Sequence, residues 1–279
     1  MLKREEIRIR DPFILTDTEN GCYYMYGTTG LLPSSYSTNR ILKVYKSRDL
    51  ENFDDGTVIF DGEKINFWAT DCYWAPEVHK YNGKYYLFVS FKSDGACRAT
   101  QILVCDTPDG EFKPISESPV TPSDWECLDG TFYEEDGVPY IVFCHEWVQI
   151  KNGEIWAMPL TADLAKPAGE PFILFKASEN PFVAEIRGEG SGNYVTDGPF
   201  MYKENGQLKM IWSSFADGRY QVFVAESDGG IRDKWTHKKG NFDFDGGHAM
   251  IFNDLEGKRM ISLHSPNRKN FERAAFYEY

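Results

Sequence analysis

Residues 129–146 read DGTFYEEDGVPYIVFCHE, and this stretch contains the pattern that decides the fold. A first run of strand character, TFY, is followed by the polar turn EEDG and then by a second apolar run, YIVFC. Two such runs joined by a short turn that contains glycine are typical of a β-hairpin. An acidic residue, Asp129, stands at the head of the hairpin.

The same pattern occurs five times along the chain. The segments start 50 to 68 residues apart and share turns that contain glycine; they begin at Asp11, Ala75, Asp129, Asp197 and Gly247. Further strand-like runs lie between them: ILKVYKS, QILVCDT, EIWAMPL and YQVFVAES. A propeller blade of four strands occupies about 40–50 residues in known repeats. We therefore predict an all-β fold, a five-bladed β-propeller with four-stranded antiparallel blades. No Pro/Ser-rich linker interrupts the pattern, so we predict one domain over residues 1–279.

Composition narrows the possible partners. Acidic residues outnumber basic residues by 43 to 30 and give a formal charge of −13, which argues against nucleic acid or an anionic membrane as partner. No run of about 20 apolar residues is present, so no membrane span is expected. The start of the chain, MLKREEIRIRDPFIL, lacks the features of a signal peptide, and we expect a cytoplasmic location. The composition fits a small, neutral substrate and leaves the oligomeric state open.

The cysteines and one tryptophan are predicted to be structural. None of the six cysteines forms a C-x-x-C pair, so we expect buried free thiols in a reducing compartment rather than a zinc site or a disulfide scaffold. Trp212, in the run KMIWSS, is expected in the core.

Three aspartates head three of the five segments. Asp11 lies in RDPF, Asp129 in LDGTF and Asp197 in TDGPF. A single Asp-Gly pair is more often a turn. In a propeller, however, the first strand of each blade lines the central channel, so residues at matching positions converge on one face. Three convergent carboxylates suit the hydrolysis of an acetal, which needs an acid and a second carboxylate on opposite sides of the bond. The third can raise the pKa of the acid by like-charge repulsion.

The chain resembles glycoside hydrolase family 43, the five-bladed propeller enzymes that act mainly on α-L-arabinofuranosides and β-D-xylosides, some on β-galactosides. The resemblance covers about residues 8–279, and its motifs are IRDPFIL, YWAPEVHKYNGKYYLFVS, LDGTFY, TDGPFMYKENG and GGHAMIF. It implies an inverting hydrolase that acts on arabinose- or xylose-containing oligosaccharides and needs no cofactor for its chemistry. Asp11 matches the family's general base, and Asp129 matches the residue that adjusts the pKa of the acid.

The position of the acid departs from the family pattern. The family's acid sits in a Glu-Gly-Pro phrase, which here reads TDGPF, so Asp197 occupies that position. Aspartate is shorter and ordinarily more acidic than glutamate. Glu189, in the loop RGEGSGN, is therefore an alternative acid, and Glu185 is a second one. Either is equally well explained as an exposed loop carboxylate.

The same resemblance suggests residues that bind substrate or a cation. Trp74 and Glu77, in YWAPEV, match a sugar-stacking ring and a hydroxyl ligand, or else a buried ring and a structural acid. Trp147 is expected to face the channel as well. The resemblance implies that His248, in GGHAMIF, lies deep in the channel and binds calcium through water, or only a water; a lone histidine is otherwise more often a core residue.

Two other functions remain open at this point. A non-catalytic carbohydrate-binding propeller would explain the loss of the usual acid glutamate. A phosphorolytic propeller would need a basic cluster in the funnel, for which Arg98, Arg187 and Arg219 are unassigned candidates.

Overall fold

The computed structural model describes residues 1–29, 40–240, 242 and 245–279. Blade 1 contains β1 (Leu2–Lys3), β2 (Ile9–Asp17), β3 (Cys22–Thr29), β4 (Ile41–Ser47), β5 (Asn52–Phe53) and β6 (Thr57–Asp61). Blade 2 contains β7 (Asp71–Tyr81), β8 (Lys84–Lys92), β9 (Ala99–Cys105) and β10 (Lys113–Pro114). Blade 3 contains β11 (Cys127–Glu135), β12 (Val138–His145), β13 (Glu154–Pro159) and β14 (Phe172–Lys176). Blade 4 contains β15 (Asp197–Glu204), β16 (Gln207–Ala216), β17 (Arg219–Ser227) and β18 (Trp235–Lys238). Blade 5 contains β19 (Gly247–Asn253), β20 (Arg259–Ser265) and β21 (Arg273–Glu278).

These sheets form the predicted five-bladed β-propeller. The strands within each blade pair antiparallel, and the innermost strands β2, β7, β11, β15 and β19 contact one another in cyclic order. Blades 2, 3 and 4 have the predicted four strands, whereas blade 5 has three in the described part of the chain. Within the described residues, helix is limited to α1 (Trp147–Ile150) and two 3-10 turns, Arg4–Glu6 and Ala177–Glu179. None of these described helices has the length and apolar character that crossing a bilayer requires.

The hydrophobic core lies between neighbouring blades, because each sheet packs a face against the next. One apolar cluster joins blades 5, 1 and 2, and others join blades 2 and 3, 3 and 4, and 4 and 5. Trp212 is fully buried between blades 3 and 4, as predicted. All six cysteines are free thiols, and four of them are buried; Cys97 and Cys105 are partly exposed.

Every innermost strand carries a β-bulge near its start. The register shifts at the same point in each blade, and one residue there has a left-handed backbone; these residues are Asp11 (φ 54°), Ala75 (φ 46°), Asp129 (φ 54°), Gly198 (φ 50°) and His248 (φ 52°). Left-handed φ is costly for residues other than glycine and persists where the surroundings enforce it. The repeated bulge therefore directs one residue per blade toward the central channel.

Hydrogen bonds between blades hold these bulges. The backbone N–H of the bulge residue donates to a side chain on the second strand of the preceding blade: Ala75 to Thr28 Oγ1 at 2.8 Å, Asp129 to Ser90 Oγ at 2.8 Å, His248 to Ser213 Oγ at 2.8 Å and Asp11 to His264 Nδ1 at 3.3 Å. We call these four bonds the inter-blade ring. All of the accepting side chains are buried. Each bond therefore links the position of a bulge to the packing of the neighbouring blade.

Below the bulges, rings from different blades meet between the innermost strands. Phe13 of blade 1 lies 5.2 Å from His79 of blade 2 and 6.2 Å from Phe200 of blade 4, measured between ring centroids. His79 in turn lies 5.7 Å from Phe132 of blade 3. These ring contacts join the innermost strands of four blades.

We predict that Ser213→Ala lowers the free energy of unfolding by about 1–3 kcal/mol, because the buried N–H of His248 loses its acceptor. Denaturant unfolding of the wild type and the variant measures the difference. Ser118→Ala is the matched control, since Ser118 is exposed. Equal losses in the two variants would contradict a stabilising role for the inter-blade ring.

Candidate active site

A cavity of about 260 Å³ opens at the bulges of the innermost strands. Its wall is formed by Arg10, Asp11, Thr28, Trp74, Leu128, Asp129, Glu146, Trp147, Asp197, Tyr220 and His248. The structure thus brings together the three predicted aspartates, His248 and both predicted tryptophans. Arg10, Thr28, Glu146 and Tyr220 were not among the site residues predicted from the sequence.

The three aspartates do not occupy matching positions, and that part of the sequence analysis was wrong. Asp11 and Asp129 are bulge residues, whereas Asp197 precedes the bulge residue Gly198. A Cβ at position 198 would lie 2.8 Å from two ring carbons of His248, so the bulge position of blade 4 has no room for a side chain. The carboxyl group of blade 4 therefore belongs to Asp197, the residue before the bulge. This is the position that Arg10 and Trp74 occupy in blades 1 and 2.

Asp11 is fixed from two sides. Thr28 Oγ1 donates a hydrogen bond of 2.7 Å to Asp11 Oδ2 while accepting the backbone N–H of Ala75. Nδ1 of His248 lies 3.3 Å from Asp11 Oδ1. Burial raises the pKa of Asp11, but the positive charges of His248 and Arg10 outweigh it and hold this pKa well below the ordinary value. Asp11 is therefore an ionised carboxylate near neutral pH.

Asp129 and Asp197 have the opposite electrostatic character. Burial, together with the charges of Asp197 and Asp11, raises the pKa of Asp129 to about 7, against the lowering effect of His248. Burial also raises the pKa of Asp197, although His248 and Tyr220 oppose it. The two carboxyls titrate as a pair, so together they retain a proton at pH values where an ordinary carboxyl has lost it.

Each member of this pair has a fixed hydrogen-bond partner. The backbone N–H of Gly198 donates to Asp129 Oδ2 at 2.9 Å, which connects the two aspartates through one peptide unit. Tyr220 Oη lies 3.0 Å from Asp197 Oδ2. Burial raises the pKa of Tyr220 well above its ordinary value, so its hydroxyl stays protonated and donates this bond. Burial lowers the pKa of His264, and the neutral ring can accept the N–H of Asp11.

Arg10 brings a positive charge to the cavity wall. Its Nη1 lies 3.1 Å from Oε1 of Glu272, whose side chain is fully buried, and its Nε lies 3.9 Å from Asp11 Oδ1. Arg8 binds the second oxygen of Glu272 at 3.3 Å. Arg10 is the one arginine or lysine among the described residues that line the cavity, so the basic cluster that phosphorolysis would need is not found there.

Three predicted residues lie away from the cavity wall. Glu77 is buried, with its carboxylate 3.2 Å from His79 Nε2, and it is not among the lining residues that the structure describes. It lies two residues beyond the bulge residue Ala75, and its charge contributes to the raised pKa of His248. Glu189 is exposed, and Glu185 accepts hydrogen bonds from Ser191 N–H at 2.8 Å and Tyr194 Oη at 3.1 Å. The structure supports neither glutamate as the alternative acid.

The residues around His248 do not form a metal site. No group of three or more His, Cys, Asp or Glu side chains arranged to hold a metal occurs within residues 1–29, 40–240, 242 and 245–279. Burial lowers the pKa of His248, but the charges of Asp11 and Asp129 outweigh it and raise this pKa. Nε2 of His248 is buried without a hydrogen-bond partner in the described part of the chain, which fits the predicted water.

The comparisons with known proteins place the chain in a family. The model of glycosyl hydrolases family 43 matches residues 6–277, so the chain belongs to this family. The crystal structure of an endo-arabinase from Bacteroides thetaiotaomicron VPI-5482 is 40% identical, superimposes with a TM-score of 0.90, and the match covers 100% of this chain and 96% of that chain.

Curated relatives are more distant. An extracellular endo-α-(1→5)-L-arabinanase of Bacillus subtilis (strain 168) is 27% identical over 183 residues, which is 62% of this chain and 52% of that protein. An extracellular exo-α-(1→5)-L-arabinofuranosidase of Streptomyces chartreusis is 27% identical over 173 residues, 60% of this chain and 51% of that protein. The chain thus spans about half the length of these curated relatives.

We predict that Asp129→Asn makes stability less dependent on pH. The pKa of Asp129 in the folded chain, about 7, exceeds its ordinary value of 3.8, so the wild type loses stability as pH rises from about 4 to 7. The variant lacks this loss, which amounts to roughly 4 kcal/mol at most. Unfolding free energies at pH 5 and pH 8 measure the effect, with Asp94→Asn, an exposed site, as control. Parallel changes in wild type and Asp129→Asn would contradict the assigned pKa.

Proposed function

We propose that this chain is an inverting glycoside hydrolase that cleaves α-L-arabinofuranosyl bonds in arabinose-containing oligosaccharides. The observation that carries the proposal is the gathering of Asp11, Asp129 and Asp197 in one buried cavity, with the pKa of Asp11 lowered and that of Asp197 raised. Opposed pKa shifts of this kind assign base and acid. Arabinose is favoured over xylose because the 40% identical structure is an endo-arabinase.

The reaction follows from these protonation states. Ionised Asp11 takes a proton from a water that attacks the anomeric carbon, while protonated Asp197 gives its proton to the departing glycosidic oxygen. The bond between the anomeric carbon and that oxygen breaks as the new bond to the water oxygen forms on the opposite face. Thr28 orients Asp11, and Tyr220 orients Asp197. The negative charge of Asp129 favours retention of the proton by Asp197 until that proton is transferred to the leaving oxygen.

Replacing either proposed catalytic carboxyl should abolish turnover while the fold survives. We expect Asp11→Asn and Asp197→Asn each to lower kcat/KM at least roughly 100-fold, the usual contribution of general acid or base catalysis. The measurement is hydrolysis of a panel of nitrophenyl α-L-arabinofuranoside, β-D-xyloside and β-D-galactoside, and of linear arabinan. The sizes of the arabinan products distinguish endo from exo action.

Glu189→Gln is the matched control, because Glu189 is exposed. It should retain wild-type activity, and an Asp197→Asn variant with full activity would remove Asp197 from the acid role. Binding of arabino-oligosaccharides without hydrolysis by the wild type would favour the second candidate, a non-catalytic carbohydrate-binding propeller.

The pH dependence of kcat/KM should report the loss of the proton that Asp129 and Asp197 share. Activity requires that proton, so we expect kcat/KM to fall as pH rises through about 7. Because the pKa of Asp11 lies well below its ordinary value, the base stays ionised in mildly acidic solution. In Asp129→Asn the like charge is gone, and the residual activity should fall at lower pH than in the wild type. An unchanged alkaline limb would show that Asp129 does not adjust the acid.

A further inference from the structure

The cavity wall contains a fourth buried carboxylate, which the proposed reaction does not use. Glu146 follows β12 and precedes α1, and its side chain is 8% exposed. It lines the cavity together with Trp74 and the three aspartates. A buried charge needs a partner, and Nη1 of Arg98 donates a hydrogen bond to Glu146 Oε2.

Arg98 joins Glu146 to an aromatic wall. It precedes β9 of blade 2, and its guanidinium carbon lies 4.7 Å from the ring centroid of Trp74, in cation–π contact. Its side chain is 7% exposed, and its Nε has no hydrogen-bond partner among the residues described. We call Trp74, Arg98 and Glu146 the blade 2–3 arm. The arm presents a ring face and a carboxylate on the same cavity.

Joining blades 2 and 3 does not require Glu146. Lys92 of blade 2 already binds Glu126, at the start of blade 3, at 2.6 Å and 2.8 Å from its two oxygens. Glu126 Oε2 also accepts the backbone N–H of Arg98 at 2.9 Å. Buried ion pairs contribute little net stability compared with apolar packing. The position of Glu146 on the cavity therefore points to a ligand rather than to the fold.

The chemistry of the arm matches a sugar. Aromatic rings cover the apolar face of a sugar, and a fixed carboxylate accepts hydrogen bonds from its hydroxyl groups. Arg98 occupies one oxygen of Glu146 and holds the carboxylate in place. Arg10, on blade 1, brings hydrogen-bond donors to the same cavity and is held by Glu272 in a similar way. A neutral sugar between them would meet an acceptor on one side and a donor on the other.

We propose that Glu146, positioned by Arg98 beside Trp74, binds hydroxyl groups of the pentosyl unit that occupies the cavity and thereby selects sugars with free hydroxyls. The proposal rests on the glycosidase function proposed above. It predicts that loss of Glu146 weakens substrate binding more than it slows the chemical steps.

The first test compares Glu146→Gln with the wild type on nitrophenyl α-L-arabinofuranoside. We expect KM to rise about 10- to 100-fold, the effect of losing a hydrogen bond to a charged group, with kcat changed much less. Glu154→Gln is the matched control, because Glu154 belongs to a separate ion pair of blade 3, with Lys176, and does not line the cavity. Its KM should stay within about twofold of wild type. An unchanged KM in Glu146→Gln with a lowered melting temperature would overturn the proposal.

A second variant tests the proposal in case Glu146→Gln does not fold. Glu146→Met combined with Arg98→Met replaces the ion pair by apolar side chains, an exchange that buried ion pairs often tolerate. This folded double variant should show the same rise in KM, and a wild-type KM in it would also overturn the proposal.

Substrates that lack one hydroxyl identify the contact directly. Monodeoxy arabinofuranosides should lose affinity for the wild type and lose much less for Glu146→Gln, because the two deletions remove one interaction. Fully additive losses with every deoxy substrate would contradict a contact with Glu146. If the wild type hydrolyses no pentoside, the proposed function fails; calorimetric binding of arabinotriose to the same variants then supports the hydroxyl-binding role of Glu146 if Glu146→Gln weakens it and refutes that role if it does not.

Discussion

The site depends on the hydrogen bond that the backbone N–H of a left-handed bulge residue donates. In four blades it donates to a side chain of the preceding blade, and these acceptors are Thr28, Ser90, Ser213 and His264. A bulge residue therefore has its backbone held by one blade and its side chain directed at the channel. Three of the five bulge residues, Asp11, Asp129 and His248, line the cavity. Because closure of the ring and the positions of these side chains use the same bonds, the geometry of the cavity is fixed when the blades pack.

Blade 4 differs from the other blades, because the N–H of its bulge residue does not donate to a side chain on the second strand of the preceding blade. The second-strand position that carries Ser or Thr in the neighbouring blades is Cys144 in blade 3, paired with Leu128. The N–H of Gly198 donates instead to Asp129 Oδ2. Asp129 thus supplies the missing acceptor and holds the peptide unit that follows Asp197. Gly198 also leaves the space that the His248 ring fills. Cys144 and Gly198 therefore contribute to the difference between the surroundings of Asp129 and those of Asp197.

Local sequence patterns predicted the parts of this structure that local forces determine. Hairpins with glycine-containing turns gave the five blades, and the heads of the innermost strands gave Asp11 and Asp129. The pattern could not show that Asp197 precedes its bulge, because that offset follows from the space needed by His248 on another blade. Glu146, Arg10 and Tyr220 were missed for a related reason: they reach the cavity from outside the repeated head motif or are held by distant partners such as Glu272. Glu77 was predicted either to bind a hydroxyl or to be a structural acid, and its burial and its contact with His79 match the structural alternative.

The aspartate at the acid position is better judged by its surroundings than by its length. A general acid must hold a proton when it acts, and burial raises the pKa of Asp197 although aspartate is ordinarily the stronger acid. Its place one residue before the bulge puts it in line with Arg10 and Trp74, where Tyr220 orients it. A shorter side chain starting from that position reaches the same cavity as the two bulge aspartates. The raised pKa and the hydrogen bond from Tyr220 therefore support the proposed role of Asp197 as the acid, although its side chain is shorter than that of glutamate.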